Sequence, residues 1–237
     1  MTSGRPLADI HICKRVARPF PAFRERTDAG RNLVEFMKRG PQEFSIVMAL
    51  PRGGVPVGEP LAEALGAPLS LVLVRKLPIP ISPEMGFGAV TIDGTSILNE
   101  RVVSEYGLSK REIEAISQRV KEEVIRRAKE YLGNDWKPEV REMDVYMVDD
   151  GLATGYSVIA AASMIRKLEP RMIVLCVPVS PVTSIDAVRP YFDEIYCLIA
   201  QERGPFAVAS FYEDFHEMTD DEVREVLERR SATPQEI

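Results

Sequence analysis

Short runs of apolar residues alternate along this chain with stretches of helical pattern. The runs cover residues 45–50, 70–74, 144–148, 172–177 and 194–199. Most of them are continuous rather than alternating apolar and polar, which is typical of strands covered on both faces. Strands that alternate with helices favour a parallel sheet whose ligands bind at the carboxyl ends of the strands. The sequence therefore predicts an α/β fold, a Rossmann-like parallel sheet flanked by helices.

Helical patterns between these runs cover residues 28–38, 56–65 and 156–168. A longer helix is predicted over 109–132, where apolar residues recur every three or four positions. Ser109 followed by Glu112 is a capping-box pattern at its start. Residues 180–190 and 200–218 are rich in proline, glycine and aromatic residues, which favours a cap rather than sheet.

Composition narrows the class of protein. The chain has 237 residues and a net charge of −6, with a pI near 5.2, so a global basic footprint for nucleic acid is missing, although a local basic face stays open. Three widely spaced cysteines indicate neither a disulfide framework nor a zinc site. Without a signal peptide or a run of about 20 apolar residues, we expect no membrane partner and a cytoplasmic location. We expect one domain over residues 1–237.

The segment 145–157 carries the strongest chemical signal. An apolar run ends in Asp149 and Asp150, a loop of small and hydroxyl residues follows, and a helical pattern begins near Tyr156. Loop amides and a helix N-terminus direct positive charge at an anion, which predicts a phosphate cradle. Two carboxylates would repel a bare phosphate, but they suit a ligand with sugar hydroxyls or a metal ion. The alternative is an ordinary strand, turn and helix with a polar turn.

A second candidate loop lies at residues 49–56. A predicted strand ends, the chain turns at Pro51-Arg52-Gly53-Gly54, and a helix opens at Val55 or Pro56. The two glycines allow close approach of the backbone to a ligand, and the forked guanidinium of Arg52 suits a diphosphate. A plain strand-to-helix turn is the alternative interpretation.

Basic residues also end the next predicted strand, at Arg75 and Lys76. Residues 77–90 follow, with three prolines and two glycines before residue 89, which predicts a loop of functional length. Glu84 is the acid in this segment. A surface-exposed basic edge is the alternative.

The segment 145–157 resembles the loop that binds phosphoribosyl diphosphate (PRPP) in type I phosphoribosyltransferases. The resemblance implies that family's fold, with a core at about 20–200 and a hood and helix at about 200–230. It also implies that the two acids hold the ribose 2- and 3-hydroxyls while the loop holds the 5-phosphate. The implied PRPP-binding residues are Asp149, Asp150, Gly151, Leu152, Ala153, Thr154, Gly155, Tyr156 and Ser157.

The same resemblance extends to other segments. It implies that Pro51, Arg52, Gly53 and Gly54 bind pyrophosphate, with Pro51–Arg52 as the candidate for a cis or strained peptide bond. It implies that residues 77–90 are a mobile loop and that Arg75 and Lys76 face the pyrophosphate. Phe206 and Val208 are the implied base-binding residues. Mg²⁺ is the implied cofactor, contacted indirectly by Asp149 and Asp150 and also by Glu213. A homodimer and a role in nucleotide salvage are further implications.

The chain departs from the hypoxanthine–guanine branch of that family. Ala153 stands where that branch has an aspartate near the base, and residues 177–181 lack the lysine that reads the 6-oxo group. The expected activity is therefore transfer of the 5-phosphoribosyl group from PRPP to a nitrogenous heterocyclic base, with the base left open. A PRPP- or nucleotide-sensing regulator on the same fold is the alternative, and a phosphoribosyl hydrolase or phosphorylase is a third interpretation.

Because Ala153 cannot move a proton, Glu84 is the predicted general acid or base, together with Arg75 and Lys76 as catalytic residues. Replacing Glu84 with Gln keeps the shape and removes the titrating group. We expect Glu84→Gln to lower kcat by roughly 100-fold with little change in PRPP affinity, as for loss of a general acid–base group. Steady-state kinetics checks this, and an unchanged kcat would contradict the assignment.

Overall fold

The structure is a computed structural model that describes residues 6–134 and 138–232. Its strands are β1 (Asp9–Val16), β2 (Ser45–Ala49), β3 (Leu69–Leu71), β4 (Val74–Ile79), β5 (Ser82–Thr91), β6 (Ser96–Leu98), β7 (Asp144–Val148), β8 (Met172–Pro181) and β9 (Glu194–Gln201). Its α-helices are α1 (Arg26–Met37), α2 (Gly54–Leu65), α3 (Glu100–Glu105), α4 (Lys110–Leu132), α5 (Tyr156–Arg166), α6 (Val182–Val188) and α7 (Asp220–Ala232). Short 3₁₀ turns occupy Arg189–Tyr191 and Val208–Phe211.

The chain forms two compact units. Within the described residues, the first contains 6–72, 140–155 and 169–232, and the second contains 73–134, 138–139 and 156–168. The prediction of one domain over the whole chain stays a prediction.

A six-stranded parallel sheet forms the first unit, in the order β1-β9-β8-β7-β2-β3. The strands β2 and β7 in its interior are buried along their full length, as the continuous apolar runs predict. Helices α1 and α2 pack on each other and on the sheet. Their core centres on large, fully buried side chains, among them Tyr146, Leu33 and Phe211. The predicted α/β fold, a parallel sheet flanked by helices, is confirmed.

The second unit contains the three-stranded antiparallel sheet β4-β5-β6 and the helices α3, α4 and α5. Its core joins Leu77, Ile79, Phe87 and Val90 of the sheet to Val120 of α4. Ser109 caps α4 through the capping box with Glu112, as predicted. This cap supplies partners for amides at the helix start that would otherwise lack them.

The prediction for residues 74–90 is wrong. Arg75 and Lys76 do not end a strand of the parallel sheet; they lie in β4, opposite Val90 and Ala89 of β5. Residues 77–90 are mostly strand rather than loop. The prolines misled the interpretation. Pro78 lies in the edge strand β4, where a missing amide donor costs no internal ladder bond. Pro80 lies in the turn after β4, and Pro83 lies in β5 before the part of that strand that pairs with β6. The pairing slips at Pro78, which lies opposite Gly86.

The sequence predicted some of the remaining elements closely and missed others. The predicted helices at 28–38, 56–65 and 156–168 begin or end within two residues of α1, α2 and α5. Strand β1 was not predicted, because as an edge strand it carries exposed polar residues instead of a continuous apolar run. Residues 180–190, predicted as a cap rather than sheet, contain helix α6, and their role as a cap stays a prediction. Among the described residues, none of the helices combines the length and apolar character that a membrane crossing requires.

The close approach of α1 to α2 gives a test of the first unit. A Cβ at Gly30 would lie 2.4 Å from the backbone oxygen of Val57, whereas one at Gly40 would meet nothing within 4 Å. We expect Gly30→Ala to lower the free energy of unfolding by about 1–3 kcal/mol through overpacking. Gly40→Ala is the matched control, expected within about 0.5 kcal/mol of the wild type. Urea denaturation followed by circular dichroism checks both, and equal stability of the two variants would refute the close packing.

Candidate active site

Two neighbouring parallel strands bring the two candidate loops to one edge of the sheet. Ala49 of β2 pairs with Val148 of β7, and the Leu50 amide donates to the Val148 oxygen at 2.8 Å. Both strands run in the same direction, so their carboxyl ends lie side by side. The Pro51–Gly54 loop and the Asp149–Gly155 loop therefore adjoin each other, at the edge where such sheets bind ligands.

Glycine is required where the loops meet. A Cβ at Gly53 would lie 1.9 Å from Oδ2 of Asp150, and one at Gly54 would lie 2.5 Å from the Val148 oxygen. Real Cβ atoms do not approach so closely, so both positions exclude a side chain. The Pro51–Arg52 peptide bond is cis, one of the forms that the resemblance implied for this position.

Asp149 and Asp150, the acid pair, are partly buried at this edge. Burial, followed by the charge of Asp150, raises the pKa of Asp149 well above its ordinary value. Burial also raises the pKa of Asp150, while the hydrogen bond from Arg26 acts in the opposite direction. The Asp150 amide donates to Oδ1 of Asp149 at 2.9 Å. The pair thus keeps two carboxyl groups side by side, where ionising both is costly without a cation or ligand.

Arg26 supplies that cation, and the sequence prediction missed it. Its Nε donates to Oδ2 of Asp150 at 2.7 Å, although the two residues are 124 positions apart in sequence. A signal was present: Arg26 lies in the first turn of α1, where a cation opposes the helix dipole and therefore needs another reason to be there.

Further hydrogen bonds hold the backbone of the Asp149–Gly155 loop, which we call the acid loop. The Tyr212 hydroxyl donates to the Asp150 carbonyl at 2.7 Å, and the Ser184 hydroxyl donates to the Ala153 carbonyl. The Leu152 amide donates to the Val179 oxygen at 2.8 Å. Gly155 ends the loop with φ of 84°, which glycine adopts without a steric penalty. Within this fixed loop, Ala153 and Thr154 remain exposed to a ligand.

Arg52 is engaged by carboxylates. Its guanidinium bonds to Glu217 and lies 3.6 Å from Oδ1 of Asp220, just before and at the start of α7. The Arg52 side chain is 27% exposed. An incoming anion would therefore have to replace carboxylates that Arg52 already contacts.

The predicted base-binding residues lie beside the acid loop. The Val208 side chain occupies the space next to Gly151, where a Cβ would come within 2.5 Å of it. Phe206 is partly buried, with its ring centroid 5.5 Å from that of Phe211. Glu213 is exposed, and its amide donates to the Phe23 oxygen at 2.8 Å.

The remaining predicted residues belong to the second unit and are described within it. Arg75 pairs with Glu123 of α4 at 2.9 Å, and Lys76 donates to the Glu84 carbonyl. Hydrogen bonds from its own backbone amide and from Ser82 lower the pKa of the exposed Glu84. Tyr156 and Ser157 begin α5 and are partly buried.

The donor set of the acid loop fits Mg²⁺ better than a softer metal. Within residues 6–134 and 138–232, no group of three or more histidine, cysteine or acidic side chains is placed to enclose a metal ion. Mg²⁺ is commonly held by one or two carboxylates together with waters and substrate phosphates. The consecutive side chains of Asp149 and Asp150 supply carboxylate donors of that kind.

Comparison with known proteins identifies the family. The family model described as the phosphoribosyl transferase domain matches residues 24–210, which is most of the chain. The chain belongs to the phosphoribosyl transferase family. The family predicted from the resemblance is thereby confirmed.

Individual relatives of this phosphoribosyl transferase family member are similar in sequence, and one of them is a solved structure with a similar fold. A protein found in two strains of Mycobacterium tuberculosis, whose name provisionally calls it a phosphoribosyl transferase, is 38% identical over 208 residues, or 87% of this chain. That alignment covers 46% of the relative, so the chain spans about half the length of the curated relatives it matches. The crystal structure of TT1426 from Thermus thermophilus is 34% identical and superposes with a TM-score of 0.70, covering 87% of this chain and 97% of that one.

A histidine next to the site, His216, is expected to make the stability of this family member depend on pH. Hydrogen bonds to Glu222 and Asp214 raise the pKa of His216 above its ordinary value of 6.5. A group whose pKa is raised in the folded state stabilises the fold fully at pH values below its ordinary pKa. This stabilisation is lost as the pH rises through the raised pKa.

We therefore expect His216→Gln to lower the melting temperature at about pH 6 and to match the wild type by about pH 9. Scanning fluorimetry across this range checks the result. Because the group is exposed, about 1 M salt should shrink the difference at low pH. A difference that is independent of pH would contradict the assignment.

Proposed function

We propose that this protein is a Mg²⁺-dependent phosphoribosyltransferase that transfers the 5-phosphoribosyl group of PRPP to a nitrogenous heterocyclic base and releases pyrophosphate. The single observation that carries the proposal is the contact between the two loops. Gly53 of the Pro51–Gly54 loop, proposed to bind pyrophosphate, lies directly against the carboxylate of Asp150 in the Asp149–Gly155 loop, proposed to bind ribose phosphate. A ligand that carries both ribose hydroxyls and a diphosphate fits this juxtaposition.

The proposed roles follow the chemistry of each loop. Asp149 and Asp150 accept hydrogen bonds from the ribose hydroxyls, and the amides and hydroxyls of residues 151–157 hold the 5-phosphate. Pro51, Arg52, Gly53 and Gly54 hold the pyrophosphate, to which the family resemblance adds Arg75 and Lys76. Val208 contacts the acid loop and Phe206 lies in the same segment, which supports their proposed place beside the base.

In the proposed reaction, the acceptor nitrogen bonds to C1 of the ribose while the bond from C1 to the pyrophosphate oxygen breaks. The pyrophosphate leaves with the bonding electron pair, so positive charge develops on the ribose. The carboxylates of the acid pair stabilise that charge, and the loops hold the reactants in line. Glu84 is the proposed group that takes the proton lost by the acceptor nitrogen.

Mg²⁺, when bound, would neutralise part of the diphosphate charge. Asp149 and Asp150 are the residues proposed to hold it indirectly, and Glu213 is a further candidate. The homodimer, the cytoplasmic location and the role in nucleotide salvage are also proposals, taken from the resemblance and the composition.

A second candidate function is a sensor that binds PRPP or a nucleotide without catalysing a reaction. The observation in its favour is the engagement of Arg52 by Glu217 and Asp220. A protein that never releases pyrophosphate has no need of a free Arg52. The enzyme remains the first candidate because both glycines and the acid pair are present at one edge.

The decisive test is pyrophosphate release from PRPP and Mg²⁺ with a panel of purine, pyrimidine and other heterocyclic bases. We expect release with at least one base, and we expect Asp149→Asn/Asp150→Asn to reduce it by roughly 100-fold or more, because transition-state charge stabilisation is lost. Equal melting temperatures of variant and wild type control for unfolding. Calorimetric binding of PRPP or nucleotide without any release would favour the sensor, and a requirement for inorganic phosphate would favour a phosphorylase.

A further inference from the structure

Arg26 is a buried arginine with three distinct contacts. Only 8% of the residue is exposed, whereas arginine is seldom so deeply buried without a partner. Its Nε donates to Oδ2 of Asp150 at 2.7 Å, and its Nη1 donates to the His216 carbonyl at 2.9 Å. The guanidinium carbon lies 3.8 Å from the centroid of the Phe215 ring. The plane and the direction of the guanidinium are therefore both determined.

This arrangement restricts the carboxylate of Asp150. Oδ2 is committed to Arg26 on one side and lies against Gly53 on the other. The Tyr212 hydroxyl holds the backbone of the same residue through its carbonyl. A carboxylate whose backbone and one oxygen are both held has little freedom to rotate, so its other oxygen has a defined direction.

We propose that Arg26 is a positioning residue for Asp150. It holds Oδ2, so that Oδ1 of Asp150 is presented to a ribose hydroxyl, and it does not itself touch the substrate. This inference rests on the proposed function, since it assigns the ribose contact to the acid pair. It adds to the site a residue from α1, outside both loops that the sequence marked.

The chemistry of arginine explains why another cation would not serve. A guanidinium is planar and forked, so it can donate to a carboxylate and a carbonyl at once while stacking on an aromatic ring. Lysine carries the same charge on a single nitrogen and cannot stack in this way. Lysine at position 26 would therefore keep the charge beside Asp150 but lose the defined geometry.

The test compares Arg26→Gln and Arg26→Lys with the matched control Arg24→Gln. Arg24 lies two residues earlier, and its side chain is 76% exposed and pairs with Asp28 at 3.9 Å. Calorimetry measures binding of PRPP and of pyrophosphate alone, and kinetics measures kcat and KM. Pyrophosphate lacks the ribose, so it reports on the Arg52 loop without the acid pair.

We expect Arg26→Gln to weaken PRPP binding by roughly tenfold, the effect of losing one hydrogen bond to a charged group. Pyrophosphate binding should change by less than about twofold, since the coupling between independent sites is small. Arg26→Lys should recover only part of the loss, and Arg24→Gln should match the wild type. A double variant with Asp150→Asn should lose no more than Asp150→Asn alone, because Arg26 acts through that carboxylate.

Several results would overturn the inference. Equal losses of PRPP and pyrophosphate binding would show a merely structural role, as would additive losses in the double variant. Wild-type binding of PRPP by Arg26→Gln would refute the role of Arg26 and leave the proposed function intact. Failure of the wild type itself to bind PRPP would overturn both. If Arg26→Gln does not fold, Phe215→Leu removes the ring that stacks on Arg26 and packs against Tyr212, and it should weaken PRPP binding without weakening pyrophosphate binding.

Discussion

The parallel pairing of β2 with β7 is the interaction on which the candidate site depends. It places Ala49 opposite Val148, and the Leu50 amide continues the hydrogen bonding to the last residue of β7. Because the two strands end at the same level, two loops that are distant in sequence lie in contact. Gly53 and Gly54 then have no space for a side chain, so the strand register and the loop composition depend on each other. A shift of one residue in this register would separate the loops and turn their side chains to the other face.

The acid pair places a second constraint on the first unit. Two adjacent carboxyl groups at a partly buried position are costly unless they have polar partners, and burial raises the pKa of both. The partner of the Asp150 carboxylate comes from a distant segment, Arg26 at the start of α1, and Tyr212, from the stretch before α7, holds the Asp150 backbone carbonyl. That stretch also contacts Arg26 through Phe215 and the His216 carbonyl. The residues around the acid pair are thus a network in which each contact orients the next.

The sequence predicted local structure well where local physics decides it. Continuous apolar runs marked the buried strands, helical spacing and the Ser109–Glu112 capping box marked α4, and glycines marked the loops at the sheet edge. It failed where the environment overrides local preference. Pro78 is tolerated because β4 is an edge strand, and β1 escaped notice because an edge strand carries exposed polar residues.

The sequence by itself determined the chemistry of the two loops and the family, because an acid pair, glycines and hydroxyl residues in a fixed order are contiguous along the chain. Only the tertiary structure decided which residues meet them. Arg26 reaches Asp150 across 124 positions, and Arg52 reaches Glu217 across 165. No periodicity or spacing encodes such pairs, since they arise from how strands and helices pack. The motif therefore indicated a ligand site, and the packing of α1 and of residues 212–220 determined how its charges are held.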